Sequence, residues 1–383
     1  MKNINTIRRY LYLLGVVLTL SAGLLLVACS NDSEVGRREI NLVMGTETFN
    51  DVSVIPTRGE LPAGFTAYND FYSSRTLPVH AKIQGFFTNV GTSAPQSSVF
   101  TFRDAAGSRL WSTHIDVEGN SDYLLYGFMP MEDAGAVTIA PYSSDYANGA
   151  VLTVSDLKAT SSSDVCVIVG VKGKENSSYP ISDVGLQLGK FDYNPLTHGD
   201  NLYILVDHIY SSLRLEFAVG TEYNDLRTIK IKKMTLEPNH GTSSVKTVDA
   251  TITLETNNTG DNPLTGCTIS NASTGDDSEP VVIFDNSEAP AVLTTTSAQN
   301  CFRGYFAPEK NRSFVLETTY DVYDKAATPT RVRQNQKARN VLTIDSGVTM
   351  ARGQEYVFVL TVEPTYLYVL SDPDLDNPTF TLQ

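Results

Sequence analysis

From Ile40 onward, short runs rich in Val, Ile, Tyr, Phe and Thr are separated by clusters of Gly, Pro, Asn, Asp and Ser. Apolar runs of this length, several with a period of two, predict strands, and the polar clusters predict turns. Ile40, Leu42 and Met44 alternate with neighbours that point the other way, so a short first strand is expected over Glu39 to Met44. Val99 to Phe102 and Leu110 to Thr113, joined across Asp104-Ala105-Ala106-Gly107, predict a hairpin. Further strands are expected at 122–128, 136–142, 151–154, 165–171 and 185–191. Pro195 to Asp200 breaks the pattern, which resumes at 202–206, 212–219, 228–236, 250–254, 281–284, 314–323 and 356–362. One short helix is expected near Tyr223 to Arg227, and Thr256 to Glu279 is expected to be a mobile surface loop. The fold class is all-β, with two β-sandwiches over 39–200 and 201–383.

The first residues follow a different pattern. Lys2, Arg8 and Arg9 precede an uncharged apolar run from Tyr10 to Ala28, the arrangement of an export signal. Leu26-Val27-Ala28-Cys29 resembles the lipobox of bacterial lipoproteins, in which a peptidase cuts before the cysteine and acyl chains are attached to it. The resemblance implies a signal peptide over 1–28, lipidation of Cys29, a tether over 29–38 and attachment to the outer membrane through the lipid. More than one acyl chain is needed for stable anchoring. Asp32 and Glu34, just after the cysteine, resemble the signal that displays Bacteroides-type lipoproteins on the outer face of the cell.

Composition narrows the partners. The 29 basic and 43 acidic residues give a net charge of −14, and loss of Lys2, Arg8 and Arg9 deepens it by three. An acidic surface repels phosphate backbones, so nucleic acid is not expected as a partner. The remaining cysteines are Cys166, Cys267 and Cys301; neighbours such as Val165 and Val167 place Cys166 in a buried strand. Cys267 and Cys301 are the pair to consider for a disulfide in an exported protein.

No catalytic pattern stands out. The five histidines are scattered, no Gly-x-Ser-x-Gly elbow or phosphate-binding loop is present, and no Cys/His spacing predicts a metal. Asp372, Asp374 and Asp376 alternate as in a calcium loop, but Pro373 and Pro378 interrupt them and Asn377 stands where the loop needs Gly. Trp111, Tyr142 and Tyr146 are of a type that stacks on sugars, although strand packing is the default for aromatics in a β protein. The expectation is a non-enzymatic protein with no cofactor and no metal.

Several landmarks, taken together and in order, carry a family resemblance. Pro56-Thr57-Arg58-Gly59 after the first strand, Tyr305-Phe306-Ala307-Pro308, and Thr319-Tyr320-Asp321-Val322-Tyr323-Asp324 are similar to segments of the fimbrillin family, the type V pilins of Bacteroides-type bacteria. The tail Pro364-Thr365-Tyr366-Leu367-Tyr368-Val369-Leu370-Ser371-Asp372-Pro373 resembles the ends of fimbrillin-like lipoproteins. The resemblance implies two tandem transthyretin-like sandwiches and a subunit of a surface pilus, in the shaft or as an accessory tip or anchor. It further implies that an arginine-specific protease cuts after the first strand and that a strand of the next pilus subunit fills the groove so opened. Arg58 is then the cut site to test, with Arg37 and Arg38 as alternatives, and Ile40, Leu42 and Met44 belong to the released strand. Tyr366, Leu367, Tyr368, Val369 and Leu370 form the donor strand, with Thr379 to Leu382 as a further stretch. A surface glycan-binding lipoprotein of a nutrient-uptake system is the alternative from another class.

Overall fold

The computed structural model describes residues 36–46, 50–51, 82–89, 94–105, 108–117, 122–173, 189, 191–193, 201–239, 243–256, 263–275, 279–297, 301–362 and 379–382. Within them the chain is all-β, with a single short α-helix, α1 (Thr221–Leu226). The strands of the first half are β1 (Gly36–Thr46), β2 (Asn50–Asp51), β3 (Ile83–Asn89), β4 (Gln96–Ala105), β5 (Ser108–Val117), β6 (Tyr123–Met129), β7 (Ala136–Pro141), β8 (Gly149–Lys158), β9 (Thr160–Ser161), β10 (Cys166–Gly173) and β11 (Asp192–Tyr193). Then follow β12 (Asn201–His208), β13 (Ser211–Val219), β14 (Arg227–Pro238), β15 (Val245–Glu255), β16 (Leu264–Thr274), β17 (Val281–Asp285), β18 (Ala291–Val292) and β19 (Cys301–Phe306). β20 (Ser313–Asp324), β21 (Arg331–Thr343), β22 (Gln354–Val362) and β23 (Thr379–Leu382) complete the chain.

Alternation explains most of these elements. In β15 Val248, Ala250, Ile252 and Leu254 turn inward while the residues between them stay more accessible. β14 shows how such a pattern survives an irregularity. Ile229 and Ile231 are buried, and so are Met234 and Leu236, which would fall on the opposite face of an unbroken strand. A register shift against β20 between Ile231 and Lys233 resets the phase, so both halves of β14 face the same core. Every residue of β6 is buried, because both of its faces are covered.

The strands form four sheets. The first runs β10-β12-β1-β5-β4-β3-β6-β11, and β10 also pairs with β6 through Cys166–Met129 and Val167–Phe128. Its pairings therefore close on themselves: β6, β3, β4, β5, β1, β12 and β10 form a ring. The fourth sheet, β16-β15-β8-β7, shares one core with this ring, built on side chains such as Phe100, Trp111, Tyr126, Phe128, Leu152 and Ile252. The second sheet, β2-β22-β13-β19-β9 with β23 on β22, shares another core with the third, β17-β14-β20-β21 with β18 on β14. Leu213, Ile231, Phe306, Phe314 and Phe358 stand in that second core.

Two sequence expectations change here. Thr256 to Glu279 contains β16, an eleven-residue strand paired along β15, where a mobile loop was expected. Its Asn, Ser and Thr residues lie largely on the accessible face, which is why composition reads as loop. The cores also do not part at residue 200. Leu202, Ile204, Val206, Ile209 and Tyr210 belong to the first core, and so does the β15–β16 hairpin drawn from later in the chain. β21, an edge strand, also escaped the sequence reading. Its outer residues Arg331 to Asn335 are exposed, a charged and polar edge that discourages pairing with other chains.

Candidate strand-exchange site

β1 is the strand on which the ring depends. It runs antiparallel to β5 from Gly36↔Val117 to Leu42↔Trp111, and parallel to β12 from Asn41↔Asn201 to Thr46↔Val206. The two ladders are staggered: β5 holds the first part of β1, β12 the last, and only Asn41 and Leu42 are paired on both sides. Among the described residues β1 is the only strand linking β5 to β12. Ile40, Leu42 and Met44 all lie within it.

A second edge is occupied from both ends of the chain. β22 pairs in parallel with β13 along Ser212↔Glu355 to Val219↔Val362. Its other side carries β2 at Asn50↔Gln354 and Asp51↔Glu355, and β23 at Thr361↔Thr379 to Phe358↔Leu382. β23 thus occupies a sheet edge in its own chain, as an ordinary last strand does.

Beneath this edge lies a charge cluster that fixes β22 against β13 and β19. Glu355, 6 % exposed, meets Arg303 Nε at 2.7 Å and Arg214 Nη1 at 3.1 Å. Burial works against the Arg303 guanidinium, but the charge of Glu355 and its hydrogen bond more than offset this, and the Arg303 pKa is raised. The ladder Glu355↔Ser212 positions the carboxylate, and Ser212 Oγ donates to Glu355 Oε1 at 3.4 Å.

Cys29, Arg58 and Tyr366 to Leu370 lie outside the described residues, as do the segment 195–200 and most of the strand expected at 185–191. The disulfide expectation is corrected. Cys267 and Cys301 are thiols on different sheets, Cys267 in β16 opposite Ile252 and Cys301 in β19 opposite Glu216. Burial raises the pKa of both, to about 11 for Cys267. Trp111 and Tyr146 are packing residues, 1 % and 6 % exposed, whereas Tyr142 is half-buried.

Tertiary structure also gathers residues that spacing kept apart. Asp164, Cys166 and His208, all buried, bring three donor atoms within 4.8 Å of one another, although the sequence predicted no metal-ligand set. Between the cores, a cleft of about 630 Å³ is lined by Asp133, Lys158, Lys246, Glu279 and Phe284 among others. Lys158 Nζ and Asp133 Oδ1 form an ion pair at 3.0 Å on its wall.

No protein-family model and no curated protein matches the chain. Solved structures do. A Bacteroides fragilis protein proposed to act in cell adhesion is 12 % identical, with 91 % of this chain and 97 % of that one covered and a TM-score of 0.36. A fimbrial protein from Bacteroides vulgatus is 8 % identical over 89 % of this chain and 98 % of that one, with a TM-score of 0.32. The fimbrial anchor protein Mfa2 from Porphyromonas gingivalis is 8 % identical over 90 % and 95 %, with a TM-score of 0.27. The chain is therefore similar to adhesion and fimbrial proteins of Bacteroides-type bacteria. At these identities and TM-scores no residue role is taken from them.

Proposed function

We propose that this chain is a structural subunit of a cell-surface fimbria that supports adhesion, delivered to the outer membrane as a lipoprotein on Cys29 and assembled by exchange of β1. The observation that carries the reading is the place of β1 in the ring. Seven register pairs with β5 and six with β12 hold it. At roughly 0.5–1.5 kcal/mol net per backbone hydrogen bond, such a strand contributes on the order of 10 kcal/mol. That is comparable to the whole stability of an ordinary domain, about 5–15 kcal/mol. A subunit that loses β1 is therefore driven to refill the slot, and a strand from a neighbouring copy satisfies both ladders at once.

Arg58 falls between the end of β2 at Asp51 and the start of β3 at Ile83. A cut there would free β1 and β2 together, baring the slot between β5 and β12 and the end of β22 that β2 covers. The donor is the tail, Tyr366 to Leu370; Thr379 to Leu382, paired with β22 in its own chain, would have to leave that edge to join it. Copies joined in this way, head to tail and without ring closure, grow into a filament. The partners are other pilus subunits, the membrane through the lipid, and an arginine-specific protease.

The test is proteolysis of the purified mature chain. Cleavage after Arg58 is expected to produce an SDS-resistant ladder of multimers, absent in an Arg58→Ala chain or one lacking residues 364–383. A cleaved chain that loses β1 and stays monomeric overturns the reading.

The glycan-binding alternative has one feature in its favour, the cleft between the cores. Of its described lining residues only Phe284 is aromatic, and Phe284 is 8 % exposed. The described lining offers no sugar-stacking platform, and the fimbrial reading rests on the place of β1 in the ring.

A further inference from the structure

We propose that Asp164, Cys166 and His208 form a binding site for a divalent d-block cation such as zinc(II). The backbone sets the arrangement. Cys166 and His208 are the terminal pair of the β10–β12 ladder, directly opposite each other. Asp164 precedes Cys166 by two positions, so its side chain emerges on the same face. The hydrogen bond from Ile209 N to Val165 O, at 2.7 Å, extends the pairing and holds Asp164 beside His208.

The donor geometry is that of a coordination site rather than a relay. Cys166 Sγ lies 3.7 Å from His208 Nδ1, and Asp164 Oδ2 lies 2.8 Å from the same nitrogen. In a nucleophile–base–acid relay the thiol and the carboxylate engage opposite ring nitrogens. Here both converge on Nδ1, which has one direction in which to donate or accept. The carboxylate is the less satisfied partner: both Asp164 oxygens lack a hydrogen bond of proper geometry, and the residue is 0 % exposed. Among the described residues His208 is its one close partner of opposite charge, and a buried carboxylate with so little hydrogen bonding is costly. A cation among the three atoms would give all of them one common partner.

The chemistry of the set points to zinc. Thiolate, imidazole and carboxylate are all established zinc ligands, with metal–ligand bonds of about 2.0–2.3 Å. Two ligands at such distances and near-tetrahedral angles stand roughly 3.2–3.7 Å apart. The sulfur–nitrogen separation falls in that range, and the carboxylate would move outward by a few tenths of an ångström. Charge balances as well. Thiolate, carboxylate and neutral imidazole around one zinc(II) sum to zero charge, and the protons displaced leave to buffer. The resulting site is neutral, as burial requires. Its placement gives it a purpose under the strand-exchange reading: it would pin β10 to β12, the strand that borders β1, while the β1 slot is open. Binding itself does not depend on that reading.

The experiment uses the mature chain, reduced and stripped of metal with a chelator. Zinc(II) titration is expected to give one equivalent bound, release of protons to buffer, and a rise of several degrees in Tm. Cobalt(II) is expected to give a thiolate-to-metal charge-transfer band that Cys166→Ser abolishes and the double variant Cys267→Ser/Cys301→Ser retains. Asp164→Asn, which keeps the side-chain volume, is expected to weaken zinc at least tenfold. Binding below a tenth of an equivalent, or a cobalt band that survives Cys166→Ser, overturns the proposal. Because metal content is read on a monomer, failure here leaves the multimer ladder to be judged separately.

Discussion

Leu42→Pro tests the β1 slot at the point where it is held most firmly. Leu42 pairs with Trp111 on one side and Leu202 on the other. Whichever way its N–H points, a partner strand faces it. Proline removes that donor and places a ring where the neighbouring backbone runs. Losing one ladder bond costs about 1 kcal/mol, and the partner carbonyl left unmatched adds about 1–3 kcal/mol, for a total near 2–4 kcal/mol. The assay is built into the chain. Trp111 is the single tryptophan, is 1 % exposed, and lies directly opposite Leu42, so urea unfolding followed by tryptophan fluorescence reads the site itself. With a denaturant slope near 3 kcal/mol per molar, the midpoint is expected to fall by about 1 M. The variant is also expected to take up a synthetic peptide of residues 364–383 faster than the parent chain. A midpoint within error of the parent would mean that β1 does not pair on both sides in solution, and the slot argument would fail with it.

Three other outcomes are expected. Glu355→Ala leaves Arg214 and Arg303 beside a vacated carboxylate position and should cost about 3 kcal/mol in denaturant unfolding, whereas an exposed pair such as Lys337–Glu317 should change stability by less than about 1 kcal/mol when broken. Gly149→Ala should prevent folding of the first core, read as loss of the cooperative Trp111 transition, since φ there is +133° and an added Cβ would meet Leu254 O at 1.9 Å. At pH 8 the Cys267 thiol, raised from 9.0 to about 11 chiefly by burial, should alkylate about a hundredfold more slowly than an unperturbed thiol. Its rate should climb tenfold per pH unit toward pH 11. The sign for stability follows, because folding favours the neutral thiol: the contribution is complete below about pH 9 and is lost as pH rises through about 11. Mass spectrometry of labelled peptides separates Cys267 from Cys166 and Cys301.

By itself the sequence determined the fold class and the places of most strands, because period-two alternation is written locally and each buried face must carry it. β13, β14, β15, β20 and β22 could all be read from their own residues. It also carries the expectation of a leader cut before Cys29, because that signal is a contiguous run. β16 and β21 were illegible, since a strand with an accessible face or a free edge needs no apolar pattern. Tertiary structure alone decided which strands pair. It closed the ring through β6 and β10, gave β1 two staggered neighbours, and carried the β15–β16 hairpin back to the first core. It kept Cys267 from Cys301 by placing them on different sheets, and it brought His208 across to Asp164 and Cys166. Partner and register are set by what each face buries against, a long-range property that no local window of sequence contains.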